Sequence, residues 1–120
     1  MVIAPSNPPL SIWPILAVSE IATAVASHDR VVAVSPFFAG VPLKGPADRV
    51  LASLGLPAGN AGIVAAYEGL LSHLIVDIGD SADVARLATP GLAVQAVDTR
   101  LTDRDRGKRF ATALLEGLGW

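Results

Sequence analysis

The chain has 120 residues, of which 52% are hydrophobic and 17% charged, so it is long enough to bury a core and too apolar to be disordered. A formal net charge of −2 provides no basic face to neutralise phosphates, which argues against nucleic-acid binding. The absence of cysteine excludes disulfides, thiolate metal sites and cysteine nucleophiles, and it fits a cytoplasmic location.

Membrane insertion is not expected, because a bilayer-spanning helix takes about 20 consecutive apolar residues. The most apolar early stretch, residues 12–18, is interrupted by Pro14 and bounded by serines. No charged segment precedes an apolar stretch near the amino terminus, so we expect no signal peptide. These features predict a soluble protein without membrane partners.

The first predicted strand is residues 2–4, which end at the polar, proline-rich run Pro5-Ser6-Asn7-Pro8-Pro9. Because that strand begins directly after Met1, we expect the chain to start inside a longer sheet. Ser11 is a plausible N-cap for the helix that follows, with Pro14 in a first turn where its missing N–H costs nothing. This helix should run to about residue 27, with a break near Ser19.

The remaining segments alternate between buried strands and helices. A strand at residues 30–35 precedes a loop at 37–45, a helix at 46–54 and a second helix capped by Asn60. A strand at 74–76, a short helix to about residue 88 and a last strand at 92–97 come next. The final helix starts at a sequence resembling a capping box, Thr102-Asp103-Arg104-Asp105, and places Phe110, Leu114 and Leu118 on one stripe.

This alternation predicts an α/β fold: a three-layer, Rossmann-like parallel sheet with helices on both faces and right-handed crossovers. Small and branched aliphatic residues dominate the apolar content, and only 5% of residues are aromatic, which suits parallel strands buried on both faces. We find no repeat, linker or low-complexity segment, so residues 1–120 should form a single domain.

Ligands of open parallel sheets bind beyond the carboxyl ends of the strands, and the first such end carries Ser6, Asn7 and Ser11. Their side chains, together with free N–H groups at a helix start, could form a phosphate cradle. The alternative is that these three residues only cap the helix.

The second strand end runs from Ser35 to Gly40 and continues to Lys44 and Gly45. A lysine between glycines and beside a helix start suits a phosphate or a nucleobase carbonyl, although an ordinary surface lysine has the same sequence context. The third strand end places Asp77 and Asp80 together, which could bind a divalent metal or simply cap a turn. We assign no metal-ligating or catalytic residues, and no glycine-rich Rossmann or P-loop fingerprint is present.

Three segments carry a family resemblance. Residues 4–18, APSNPPLSIWPILAV, are similar to the APSNPxxSIxPILAV signature of the 2-phospho-L-lactate transferase (CofD-like) family. Residues 31–48 resemble the family's VVAVSPxxxGxxxKGPAD, and residues 62–67 resemble its GVAxxY helix. The match covers nearly the whole chain, which therefore resembles the C-terminal part of a CofD-like transferase.

The resemblance implies transfer of a phospholactyl-type group, or a phosphoenolpyruvyl or phosphoglyceryl analogue, from a guanosine diphosphate-activated donor. The acceptor would be the deazaflavin Fo, GMP would leave, and the cofactor would be Mg²⁺. Ser6, Asn7 and Ser11 would hold donor phosphates or acceptor hydroxyls. The nucleotide side would be lined by Ser35, Gly40, Lys44 and Gly45.

The chain also departs from the family pattern. The family's glycine-rich N-terminal half, with its metal-binding carboxylates, is absent, so we expect the chain to be inactive alone. Pro57-Ala58-Gly59-Asn60 replaces the usual Glu-x-Ser-Ala, and Trp13 replaces a small residue, which predicts a reshaped pocket.

Two further expectations concern function and assembly. A nucleotide-sugar-binding regulatory protein on the same scaffold is the alternative function, since the family has relatives without enzymatic activity. Apolar surface left open by the absent half predicts a homo-oligomer.

Overall fold

The computed structural model describes residues 1–42 and 44–119, so Leu43, in the predicted loop, and Trp120 lie outside the described residues. The strands are β1 (Val2–Ile3), β2 (Val32–Val34), β3 (Phe37–Phe38), β4 (Val41–Pro42), β5 (His73–Asp77) and β6 (Ala93–Val97). The helices are α1 (Trp13–Leu16), α2 (Ser19–Ala26), α3 (Ala47–Ser53), α4 (Gly59–Ala66), α5 (Asp83–Leu87) and α6 (Arg104–Gly117). A π-helical turn over Pro8–Ile12 leads into α1, and a 3₁₀ turn over Ile78–Asp80 follows β5.

Four parallel strands form the main sheet in the order β1-β2-β5-β6, which confirms the predicted α/β fold. In the central pair, Val32 of β2 lies opposite His73 of β5. β5 pairs with β6 along its whole length, so that Asp77 lies opposite Val97. Because all four strands run in the same direction, their carboxyl ends share one edge of the sheet.

Helices cover both faces of this sheet, as predicted, because successive side chains of a strand point to opposite faces. Ala33 of β2 belongs to a hydrophobic cluster with Leu51 of α3 and Ile63 of α4. Its neighbour Val34 belongs to a second cluster, which includes Leu114 of α6. The predicted stripe on the last helix packs in that second cluster, with Phe110, Leu114 and Leu118 all taking part.

The first helical segment begins earlier than predicted. Its π-helical turn starts at Pro8 rather than after Ser11, and the Ser11 backbone N–H donates to the carbonyl of Asn7 at 3.0 Å. Pro8 and Pro9 are tolerated there because the first backbone N–H groups of a helix have no intrahelical partner. Ser11 is therefore inside the turn and is not its N-cap. The predicted break near Ser19 is confirmed, since α2 begins at that residue.

The segment predicted as a loop at residues 37–45 contains a short β-hairpin. β3 and β4 pair antiparallel, with Phe37 opposite Pro42 and Phe38 opposite Val41. The two residues between them, Ala39 and Gly40, have φ values of 50° and 79°. Two consecutive left-handed residues are typical of the tightest hairpin turns, and only one of the two is the glycine that such turns favour.

Two predicted helix caps are shifted. Asn60 is the second residue of α4, with its side chain 1% exposed, and the N-cap position is Ala58. At α6 the cap is Asp103 rather than Thr102, since Asp103 accepts a hydrogen bond from the Arg106 backbone N–H at 2.8 Å. Asn60 does not cap α4, because its side-chain amide hydrogen-bonds to Ser35 and Asp83 instead.

Among the described residues, no single helix is long and apolar enough to cross a membrane. The segments Pro8–Leu16 and Ser19–Ala26 reach the required length and apolarity only as a pair bent by 98°.

Asp77, the last residue of β5, is 2% exposed and accepts hydrogen bonds on both carboxylate oxygens. Burial disfavours its charged form, but hydrogen bonds from Gly79 and Thr99, with the charge of Arg100 nearby, outweigh burial and lower the pKa of this carboxyl. The carboxylate of Asp77 therefore stabilises the fold in its ionised form.

Gly62 of α4 has no room for a side chain, because a Cβ there would collide with the carbonyl oxygen of Pro57 and touch Leu51. We expect Gly62→Ala to lower the free energy of unfolding by about 1 to 3 kcal/mol. Gly107→Ala in α6, where a Cβ meets no atom within 4 Å, is the matched control. It should raise stability by about 0.5 to 1 kcal/mol, so equal effects of the two substitutions in urea titrations would contradict this packing.

Replacing Asp77 by Asn should lower the free energy of unfolding by about 1 to 3 kcal/mol at neutral pH, because hydrogen bonds to a charge are lost. The folded pKa of Asp77 lies below its unfolded value of about 3.9, so this stabilisation is complete above that value and is lost as pH falls through the folded pKa. Urea titrations should show the wild-type advantage shrinking below about pH 4. Asp29→Asn, at an exposed site, should produce no such difference.

Candidate substrate-binding site

A cavity of about 430 Å³ opens at the carboxyl edge of the sheet. Its walls come from segments that follow β1, β2 and β6, together with the start of α3: Pro5, Ser6, Asn7, Leu10, Ser11, Pro36, Phe38, Lys44, Gly45, Pro46, Ala47, Thr99, Leu101 and Thr102. Three strand ends thus meet at one concave surface, where parallel α/β sheets bind their ligands.

The structure brings together five of the seven residues predicted to bind substrate. Ser6, Asn7 and Ser11 line the cavity from the segment after β1, and Lys44 and Gly45 line it from the segment before α3. The other two, Ser35 and Gly40, do not line it.

Ser35 faces the protein interior and is 0% exposed. Its hydroxyl donates to Asn60 Oδ1 at 2.5 Å and accepts from the Phe37 backbone N–H at 3.1 Å. The Asn60 amide then donates to Asp83 Oδ2 at 2.8 Å. This buried chain ties the end of β2 to α4 and α5, and it holds the start of the hairpin that carries Phe38 into the cavity wall.

Asn7 is the most informative residue of the cavity. It occupies the N-cap position of the π-helical turn, yet its side chain makes no capping hydrogen bond. Both polar atoms of its amide, Oδ1 and Nδ2, are buried without a partner among the described residues. Pro8 and Pro9 have no N–H to offer that amide. A buried amide without partners costs free energy, which marks Asn7 as a candidate binding residue of the cavity that it lines.

The electrostatic character of the cavity is set by Lys44, the one charged side chain among its described lining residues. No carboxylate is present in that lining to compete for the ammonium group. Ser6, Asn7, Ser11, Thr99 and Thr102 contribute polar side chains to the lining, while Leu10, Phe38 and Leu101 supply apolar surface. The cavity therefore suits an anionic ligand that also carries an apolar group.

Phe38, Thr99, Leu101 and Thr102 line the cavity but were not among the predicted site residues. The last three follow β6, and the rule that ligands bind at carboxyl strand ends applies to β6 as it does to β1 and β2. That rule could have located them, but Asp77 and Asp80 at the end of β5 were considered as the third strand end, and β6 was not. Phe38 lies within the second strand end, residues 35–40, but its aromatic side chain was assigned no role there.

Trp13 does not line the cavity either, although it was expected to reshape it. Its indole Nε1–H donates to the carbonyl oxygen of Ala66 at 2.9 Å. This hydrogen bond anchors α1 to the end of α4, so the role of Trp13 is in packing two helices.

The described residues do not form a site for magnesium. Among residues 1–42 and 44–119, no three His, Asp or Glu side chains come close enough together to hold one metal ion. Asp77 has both oxygens engaged by Gly79 and Thr99, so of the two candidate carboxylates only Asp80 has an oxygen that is buried without a partner. Magnesium is usually held by one or two carboxylates together with waters and substrate phosphates, and this strand end offers one carboxylate oxygen without a partner.

Comparisons with known proteins bear on this cavity. The family model for 2-phospho-L-lactate transferase CofD matches residues 1–114. A phosphoenolpyruvate transferase of Streptomyces griseus is 37% identical over 118 residues, which cover 97% of this chain and 37% of that protein. A 2-phospho-L-lactate transferase of Halobacterium salinarum is 36% identical over 118 residues, covering 98% of this chain and 33% of that protein.

The chain thus spans about a third of the length of the curated relatives it matches. The match nevertheless extends over almost every residue of the chain, including all the residues that line the cavity. The chain belongs to the 2-phospho-L-lactate transferase CofD family.

Proposed function

We propose that the chain is the substrate-binding, C-terminal part of a transferase that moves a phospholactyl-type group, or its phosphoenolpyruvyl or phosphoglyceryl analogue. The donor is activated by guanosine diphosphate, the acceptor is the deazaflavin Fo, and GMP is released. The observation that carries this proposal is the cavity at the carboxyl edge of the sheet, where Asn7, whose amide is buried without a partner, and Lys44, the one charged side chain, are both among the described lining residues.

The lining residues include groups suited to both halves of such substrates. Ser6, Asn7 and Ser11 would offer hydroxyl and amide groups to phosphate oxygens or to the hydroxyls of the acceptor. Lys44 and Gly45 would lie on the nucleotide side. The apolar surface of Phe38 suits the face of a planar ring.

In the reaction, a ribityl hydroxyl oxygen of Fo forms a bond to the phosphorus that carries the three-carbon acid. The bond from that phosphorus to the bridging oxygen breaks, GMP leaves with that oxygen and the bonding electron pair, and the hydroxyl proton is released to solvent. Such a transfer depends mainly on neutralising phosphate charge and aligning the attacking oxygen. The described lining residues include a cation and hydrogen-bonding groups but no carboxylate or imidazole to act as a general base. We therefore assign binding and alignment to this chain and expect it to be inactive alone.

We propose that the magnesium ligands lie in a part of the enzyme outside this chain. The described residues form no site for it, so its ligands would lie in the two-thirds of the relatives' length that this chain does not span. No step of the reaction is assigned here to the metal.

Self-association and a cytoplasmic location are also proposed. Five large apolar side chains on the first helical segments, from Leu10 to Ile21, are more than a third exposed: Leu10, Trp13, Ile15, Val18 and Ile21. Exposed apolar side chains favour contact with another protein surface, here a second copy of the chain.

A chimera tests the proposed activity directly. We would replace the matching segment of the Streptomyces griseus phosphoenolpyruvate transferase by this chain and assay Fo-dependent GMP release with magnesium and each of the three guanosine-activated donors. Turnover is expected with at least one donor.

Lys44→Ala in this chimera should reduce turnover by about tenfold or more, since a charge-assisted contact to phosphate is lost. Lys108→Ala, outside the cavity, removes the other lysine of the chain and should leave turnover intact.

Absence of turnover with all three donors in a folded chimera would refute the transferase proposal. If the chimera does not fold, calorimetry with GDP and with UDP-sugars on the chain itself would distinguish the two candidate functions. Tighter binding of a UDP-sugar than of GDP would favour a nucleotide-sugar-binding regulatory protein.

Asn7→Leu separates ligand binding from stability. A leucine of similar size removes the partnerless amide, so the free energy of unfolding without ligand should rise by about 1 kcal/mol. GDP binding measured by calorimetry should weaken by about tenfold, because the amide's hydrogen bonds to ligand are lost. Asn60→Leu is the contrasting variant, since the Asn60 amide is fully hydrogen-bonded and its removal should destabilise the chain. A loss of stability in Asn7→Leu would mean that the amide has a structural partner.

A further inference from the structure

Residues 99–102 form one wall of the cavity and follow β6, a strand that does not pair with β2. β5 lies between β2 and β6 in the sheet, yet the cavity is lined by segments that follow β2 and β6. The segment after β6 must therefore cross the carboxyl end of β5 to reach the cavity. Asp77 is the residue at that end, and its carboxylate is where the crossing segment is attached.

The contacts at this crossing are hydrogen bonds to the buried carboxylate of Asp77. Asp77 Oδ2 accepts from the Thr99 backbone N–H at 3.2 Å and from the Thr99 hydroxyl at 3.1 Å. Asp77 Oδ1 accepts from the Gly79 backbone N–H at 2.9 Å. The two side chains are only 2% and 3% exposed, for Asp77 and Thr99 respectively. Hydrogen bonds to a buried charge are among the stronger contacts in a protein.

Other contacts of the crossing segment are at the surface. Asp98 accepts from the Arg100 backbone N–H at 3.1 Å and pairs with Arg106 at 3.0 Å, and both side chains of that ion pair are exposed to solvent. Exposed ion pairs contribute little to stability. Arg100 also lies over the Phe38 ring, with its Cζ atom 5.8 Å from the ring centre. The hydrogen bonds between Thr99 and Asp77 are the ones in this segment that join two buried side chains.

We propose that Asp77 is a positioning residue for substrate binding, which acts through Thr99 to hold residues 99–102 against the cavity. The effect on affinity rests on the proposed function, whereas the effect on the order of the wall does not. Asp77 touches no substrate itself, since it is buried beneath the wall and does not line the cavity.

The order of the wall can be measured without any ligand. The chain has no cysteine, so Leu101→Cys provides a single site for a nitroxide spin label on the wall. Leu115→Cys on α6 is the matched control, because Leu101 and Leu115 are both 46% exposed. Adding Thr99→Val should make the label at 101 markedly more mobile in its electron paramagnetic resonance spectrum and leave the label at 115 unchanged. Thr99→Ser retains the hydroxyl and should restore the wild-type spectrum.

Affinity supplies the second measurement, made by calorimetry with GDP and with Fo on unlabelled protein. Thr99→Val and Asp77→Asn should each weaken binding of the ligand that contacts the wall by about tenfold, the weight of one hydrogen bond to a charged group. The double variant should be no weaker than the stronger single variant, since both substitutions break the same contact. Thr99→Ser should stay within about threefold of wild type, and Thr23→Val, at an exposed helical threonine, controls for the substitution itself.

The two measurements fail separately. An unchanged spectrum at position 101 in Thr99→Val would overturn the positioning role, whatever the affinities are. Loosening of the wall with unchanged affinity for both ligands would also overturn it. A third outcome is that the wild-type chain binds neither GDP nor Fo, although Thr99→Val still makes the label at position 101 more mobile. That result would contradict the proposed function, and with it the role of Asp77 in binding these substrates.

Discussion

The parallel pairing of β2 with β5 is the constraint on which the rest of the molecule depends. Both strands are buried on both faces, so the sheet is covered by helices on each side and cannot bind a ligand there. Only the strand ends remain available, and parallel direction brings their carboxyl ends to one edge. The cavity exists at that edge because the segments after β1, β2 and β6 leave it in directions that surround a common space.

Polar residues at this edge divide into two groups by how well they are hydrogen-bonded. Ser35, Asn60 and Asp77 are buried with partners, and they hold the hairpin and the wall in place. Asn7 is different, because its amide is buried without a partner in the described part of the chain. The unsatisfied amide lowers the stability of the folded chain, and a ligand that formed hydrogen bonds with it would offset that loss on binding. A polar side chain can therefore be assigned to scaffold or to binding by counting its partners.

Sequence patterns correctly predicted the elements that depend on residues close together in the chain. The order of strands and helices follows from short β-branched runs alternating with helical periodicity, and the structure confirms it. The hairpin of β3 and β4 was missed because its turn contains Ala39, which departs from the usual two-residue turn sequences. Asn60 was misjudged as a cap because its real partners, Ser35 and Asp83, are more than 20 residues away in sequence.

The sequence by itself determined the α/β class and five of the cavity's lining residues, because strand periodicity and strand-end position are both readable along the chain. Tertiary structure decided which strand ends share the cavity, since the order β1-β2-β5-β6 is a property of pairing between distant segments. It also moved Ser35 from the candidate ligands to the scaffold, through one hydrogen bond to Asn60. Thr99, which lines the cavity, hydrogen-bonds across the end of β5 to Asp77, a residue 22 positions earlier in the chain. Such contacts depend on three-dimensional proximity, which no local pattern encodes.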